Sequence, residues 1–128
     1  MNNFAINTLK KIFLIFFFYI LNGNALSNEF EIKAEKVNYQ NTQGKIIAQG
    51  NASALNNDGK KITSNKIIYF KKKGIIQTLG NSKFTDDEKI LTADKFSYNI
   101  NTKILNAIGN VTFTDKDKNK FFFSKFTY

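Results

Sequence analysis

The chain has 128 residues, which is room for one domain at most, and its net charge of +9 is carried on the basic side by lysine alone. It contains no Cys, His, Trp or Pro. That excludes a disulfide framework, a lipoprotein anchor, most zinc sites and any nucleophile–His pair. A surplus of positive charge raises nucleic acid or an anionic membrane as a partner. Arginine, the usual reader of phosphate and guanine, is missing, and the lysines sit in turns or at alternating positions, so no nucleic-acid partner is expected.

The first 25 residues read as a secretory leader. Two lysines (Lys10, Lys11) precede an apolar run of ten, Ile12–Leu21, and small residues follow at Gly23 and Ala25. A membrane-spanning helix needs about 20 apolar residues, so cleavage is expected over anchoring, leaving an exported domain over 26–128.

The rest of the chain repeats. Tyr39, Tyr69, Tyr98 and Tyr128 are 30, 29 and 30 residues apart, and Gly50-Asn51, Gly80-Asn81 and Gly109-Asn110 each begin eleven residues after a tyrosine. A period near 30 marks a repeat architecture. Each unit opens with an octet: Ile32–Tyr39, Ile62–Tyr69, Leu91–Tyr98 and Phe121–Tyr128. Its form is apolar, any, small, polar, Lys, apolar, any, Tyr, and the fourth copy departs from it with Phe123 at the small position.

Within the octet the alternation slips by one. Ile62 and Ser64 share a face, as do Ile67 and Tyr69, but the two pairs differ in parity. A bulge or sharp bend would return both to one side, which predicts a corner in the sheet. A turn follows each of the first three tyrosines. Then comes a strand of clean alternation, with Ile46, Ala48, Gly50, Ala52 and Ala54 on one face. Ile76, Thr78, Gly80, Ser82 and Phe84 match it, as do Leu105, Ala107, Gly109, Val111 and Phe113. The glycines are expected to face inward, as spacers where strands approach closely. A second turn closes each unit, at 56–60, 85–89 and 114–120. The carboxylates there lack calcium-loop geometry and read as turn residues. Seven strands are predicted, near 32–39, 45–55, 61–70, 75–85, 89–98, 103–114 and 120–128, with short connections that favour antiparallel neighbours.

The unit at Leu91–Asp115, with Ala93-Asp94-Lys95, Tyr98 and Ala107-Ile108-Gly109-Asn110-Val111, resembles the OstA-like repeat of lipopolysaccharide transport. That family includes LptA and the N-terminal domain of LptD, and LptC shares the fold. The resemblance covers most of 32–128. It implies an all-β fold: a β-jellyroll in which a long antiparallel sheet folds into a V-shaped slot for lipid A acyl chains, stacked end to end on other jellyrolls. The chain stops halfway through a fourth repeat, and the choice among an LptA-like bridge, an LptD fragment and an LptC-like protein with an uncleaved first segment stays open.

The function so implied is a non-enzymatic periplasmic carrier of lipopolysaccharide, with no cofactor and no metal. Its interior contacts would be Ile46, Ala48, Ile67, Tyr69, Ile76, Phe84, Phe96, Leu105, Val111 and Phe113. Jellyroll partners would add by edge-to-edge stacking, including further copies of the same chain. The competing expectation is a structural module that self-associates through its edges and binds no lipid. No nucleophile motif or acid–base constellation is present, so catalysis is not expected.

Overall fold

Alternation of apolar and polar residues, broken only by Asn-, Asp-, Gly- and Lys-rich turns, leaves the chain little to form but antiparallel strands. A computed structural model describes residues 29–128; the leader expected over 1–25 lies outside the described residues. Ten strand segments follow in order. They are β1 (Glu31–Lys33), β2 (Lys36–Gln40), β3 (Lys45–Leu55), β4 (Lys61–Phe70), β5 (Ile75–Leu79), β6 (Ser82–Asp86), β7 (Lys89–Ala93), β8 (Lys95–Asn99), β9 (Ile104–Thr114) and β10 (Lys120–Thr127). The seven predicted strands are all present. Three are interrupted near their middles, giving the pairs β1/β2, β5/β6 and β7/β8.

Every pairing is antiparallel, and the pairings sort into two layers. In the first, β2, the start of β3, the end of β4, β5, β8, the start of β9 and the end of β10 lie side by side. In the second, β1, the end of β3, the start of β4, β6, β7, the end of β9 and the start of β10 do the same. The long strands therefore cross from one layer to the other. The sheet is a β-jellyroll creased along a line perpendicular to its strands, with the apolar core in the fold.

The crease is built from the slip in alternation. Ile62, Ser64, Ile67 and Tyr69 are all buried, so the two pairs of unlike parity do return to one side. The residue that compensates for the slip lies on the neighbouring strand. Gln49 pairs with Lys66 and Ala52 with Ser64, so Gly50 and Asn51 together oppose Asn65. Glycine and asparagine both adopt positive φ here: 79° and 45° at 50–51, 79° and 48° at 80–81, 82° and 47° at 109–110. Asparagine tolerates that region better than most residues and glycine is indifferent to it, which explains the Gly-Asn dipeptide. The glycine-bearing strand is therefore kinked, not straight.

The expectation that these glycines face inward is also corrected. A Cβ at Gly109 would run into the Asp94 carboxylate, and one at Gly80 into the Asn65 amide, 2.9 Å away. Both of those side chains are exposed on the outer spine of the crease. The spine is tied by Asn110 Nδ2 donating to Asp94 Oδ2 at 3.0 Å and Asn51 Nδ2 to Glu35 Oε1 at 2.6 Å. Lys36, Lys66, Lys95 and Lys125 occupy the outward row beside it.

The middle repeat carries an additional device. Where β5 gives way to β6 and β7 to β8, the backbone bonds Asn65 N to Gly80 O, Gly80 N to Asp94 O and Asp94 N to Gly109 O carry across the break, and hydroxyls supplement them. Thr78 Oγ1 accepts from Phe96 N at 2.7 Å, and Ser64 Oγ donates to Leu79 O and Gly80 O at 3.0 and 2.8 Å. Ser82 Oγ lies 2.5 Å from Thr78 Oγ1. Leaving a buried amide or carbonyl without any partner would cost about 1–3 kcal/mol. No buried side-chain polar atom among the described residues lacks a partner.

Candidate functional site

The space between the layers is the natural candidate. Across the first layer, one inward row runs Tyr39, Ile46, Tyr69, Ile76, Tyr98 and Leu105. A second, nearer the crease, carries Ala48, Ile67 and Thr78, then Phe96, Ala107 and Phe126. From the second layer, Ile32, Ala54, Ile62, Phe84, Leu91 and Phe113 face them. The rows form because inward positions of antiparallel neighbours lie directly opposite one another.

Eight of the ten residues expected inside are buried: Ala48, Ile67, Tyr69, Ile76, Phe84, Phe96, Leu105 and Val111, none above 3% exposed. Ile46 and Phe113 are half-buried and pack against the same cluster. The middle of the slot is thus filled by its own side chains. Sequence reasoning left Ile62, Leu91 and Tyr98 out of the set, although all three occupy the motif's apolar and tyrosine positions. It had no means of finding Phe30, which precedes the first repeat.

Phe30 closes the lip of the slot. Its ring meets Tyr98 edge-on with centroids 5.7 Å apart, although Phe30 leads into β1 on the second layer and Tyr98 belongs to the first. Just before it, Glu29 reaches Lys71 on the first layer's turn at 3.0 Å. Burial pushes the Tyr69 phenol above its ordinary pKa, and the Glu29 carboxylate adds to the shift.

A second tie joins the lip. Tyr128, at the end of β10 in the first layer, donates its hydroxyl to Asp86 Oδ2 on the second at 3.2 Å. Lys60 Nζ holds the other oxygen of Asp86 at 3.1 Å, with both side chains 22% exposed. Lys89 Nζ donates to the Tyr128 hydroxyl at 3.3 Å and lies 5.5 Å from its ring centroid. Burial opposes the charge on Lys60, but the bonded Asp86 outweighs it and lifts the ammonium above the usual lysine pKa. Burial likewise raises the Tyr98 phenol, against the pull of Lys60.

The ends of the slot are open. At one, Val37 and Tyr39 of β2 are 50% and 53% exposed; at the other, Phe121 and Phe123 of β10 are 45% and 40%. All four occupy inward-facing rows with no further strand to cover them. Phe113, Phe121, Phe123 and Phe126 stack beside the second mouth with centroid separations of 5.0–6.2 Å. Among the described residues no set of three or more His, Cys, Asp or Glu comes together to hold a metal ion.

Residues 9–116 match the family model described as lipopolysaccharide-assembly, LptC-related. The chain belongs to the LptC-related family. For this LptC-related chain, comparison with curated proteins gives no match. Among solved structures it is similar to LptH, described as the LptA-homologous periplasmic component of the lipopolysaccharide transport device of Pseudomonas aeruginosa. The TM-score is 0.72 at 13% identity, covering 80% of this chain and 77% of that one. At that identity the likeness bears on the fold alone, and the shared fold is the β-jellyroll that the family resemblance implied. The LptC-related match begins upstream of the apolar run Ile12–Leu21 and takes it in.

Proposed function

We propose that this LptC-related jellyroll is a non-enzymatic periplasmic module that shelters lipopolysaccharide acyl chains between its layers and passes them along a row of stacked jellyrolls toward the outer membrane. Family membership carries the reading, and the two apolar mouths support it. A closed core has no use for half-exposed Val37, Tyr39, Phe121 and Phe123 in inward rows. A neighbouring jellyroll pairing with β2 or β10 would cover them and prolong the slot, since an unpaired sheet edge is a ready template for another strand. A further copy of the chain meets the same requirement.

Loading requires the layers to part at the lip. Exposing Phe30, Phe84 and Tyr98 costs on the order of 5–9 kcal/mol, and each methylene buried in exchange returns about 0.8, so roughly six to eleven methylenes balance the opening. An acyl chain is therefore a cargo large enough to open the slot, while a short apolar ligand is not. The ten interior residues named from the sequence would then line the acyl chains. The test is cross-linking of the purified full-length protein to a lipopolysaccharide photoprobe. Labelled peptides carrying Tyr69, Phe84 or Phe96 support the reading, and a protein left unlabelled at saturating probe sinks it.

The filled interior favours a second reading, a structural module that associates through its edges and takes no lipid. Under it, oligomers form without probe and the photoprobe labels nothing. The first segment also has two readings. A run of ten apolar residues suits a cleaved leader, whereas a family match that takes in that run favours a retained anchor of the LptC type. N-terminal sequencing of the protein from membranes separates them: a start at Leu26 means cleavage.

A further inference from the structure

We propose that the Lys60–Asp86–Tyr128–Lys89 cluster is a latch on the slot, released by a phosphate group on the lipid being loaded. The inference rests on the lipid-carrier reading above and names how the slot recognises its cargo.

The cluster is the polar counterpart of the aromatic closure at Phe30, and it spans the same gap. Tyr128 enters from the first layer, where its backbone N and O both bond to Leu105, at 2.8 and 2.9 Å. Its ring crosses to the second layer, 5.8 Å from Phe84 and 6.2 Å from Phe113. The hydroxyl then ends on Asp86, whose other oxygen is engaged by Lys60. Asp86 thus joins two partners from opposite layers, and Lys89 buttresses the junction from above the tyrosine ring. The charges are not evenly matched: Asp86 pairs with Lys60, on which Asp58 also acts, whereas Lys89 meets only the Tyr128 hydroxyl and ring and has no carboxylate within ion-pair distance among the described residues.

That surplus identifies the ligand. A phosphate monoester brings more negative charge than a carboxylate and three acceptor oxygens, enough for both lysines at once. Once bound between them it repels the Asp86 carboxylate, since like charges at such separations disfavour one another. Lys60 then exchanges Asp86 for phosphate, the Asp86–Tyr128 bond loses its support, and β6 of the second layer is no longer tied at the lip to the first-layer end of β10. Phosphate binding and lip opening favour each other by the same factor, as linkage requires. The latch would therefore keep the slot shut against unphosphorylated lipid, whose acyl chains alone must break both the polar tie and the aromatic closure. No covalent step is involved.

The test uses the full-length protein and a fluorescent lipid A carrying its phosphates, beside the same lipid after phosphate removal. The wild type should bind the phosphorylated lipid at least about tenfold more tightly, the scale of hydrogen bonds to charged groups. Lys60→Gln with Lys89→Gln should erase that preference, whereas Lys60→Arg with Lys89→Arg should keep it. Tyr128→Phe retains the ring on Phe84 and Phe113 but removes the hydroxyl. It should speed uptake of both lipids by about three- to tenfold, the equivalent of one lost hydrogen bond. Inorganic phosphate in tenfold excess over lipid should leave the preference intact. If it abolishes the preference, the lysines form a general anion site and the lipid assignment fails. A preference that survives the double Gln substitution overturns the latch, as does equal binding of both lipids by the wild type. A wild type that takes up neither lipid instead overturns the carrier reading beneath it.

Discussion

At the level of single residues, the crease depends on a dipeptide that accepts what other residues resist. Gly109 stands at φ 82° with the Asp94 carboxylate where a Cβ would go, and Gly59 stands at φ 80° with nothing within 4 Å. The two positions separate backbone strain from steric conflict. Gly59→Ala should cost about 1 kcal/mol, the penalty for a left-handed alanine. Gly109→Ala should cost roughly 2–4 kcal/mol, because it must also push Asp94 off Asn110. Urea denaturation of both variants measures the difference, and equal losses would mean that Asp94 swings aside freely. The glycine spacing was plain in the sequence, but its reason was not. Alternation places Gly109 on the inward parity, and only the positive φ at two successive residues turns its free side toward the spine.

At the level of elements, the octet and the glycine strand behave as the sequence suggested, and the departures are local. The parity slip at Ser64–Lys66 announced a corner. The extra residue that makes the corner lies on the adjacent strand, because a bulge is a property of a pair and one strand's alternation cannot locate it. The hydroxyls Ser64, Thr78 and Ser82 stood in apolar rows where the flanking repeats have mostly alanine, and that substitution was the visible trace of the hydroxyl bonds that supplement the backbone there. Phe30 left no trace, since it belongs to no repeat and acts by crossing between layers. Its contribution is testable. Phe30→Ala should destabilise the fold by about 3 kcal/mol. It should also speed hydrogen exchange in β8 around Tyr98 well beyond that in β3 around Ala48. A uniform rise across both strands would show that Phe30 stabilises the whole core and does not specifically close the lip. Of the eight buried residues of the proposed lining, Ala48, Ile76, Phe84, Leu105 and Val111 were legible from period-two alternation, whereas Ile67, Tyr69 and Phe96 also needed the corner at the parity slip.

For the molecule as a whole, four raised pKa values point the same way, that of Lys71 being lifted by its bond to Glu29. Lys60 is held up by Asp86 against burial, and Tyr69 and Tyr98 are raised by burial. A group whose folded pKa exceeds its unfolded value lends stability that is complete below the unfolded value and disappears as pH climbs through the folded one. Stability should therefore hold level up to about pH 10 and fall above it, where tyrosine and lysine titrate. Tyr98→Phe should flatten that alkaline fall. An urea midpoint measured from pH 7 to 11.5 tests this, and a fall beginning near neutrality would contradict it. The opposing Asp115 carboxylate, lowered by the bonds from Asn119, acts only at acid pH. The crease recurs at the same offset in each thirty-residue unit, and every unit adds two strands to each layer. Neighbouring strands stand about 4.8 Å apart, so a duplicated unit lengthens the slot by about 10 Å and needs no new corner. The length of the slot therefore grows in whole units, by copying sequence and not by redesigning it.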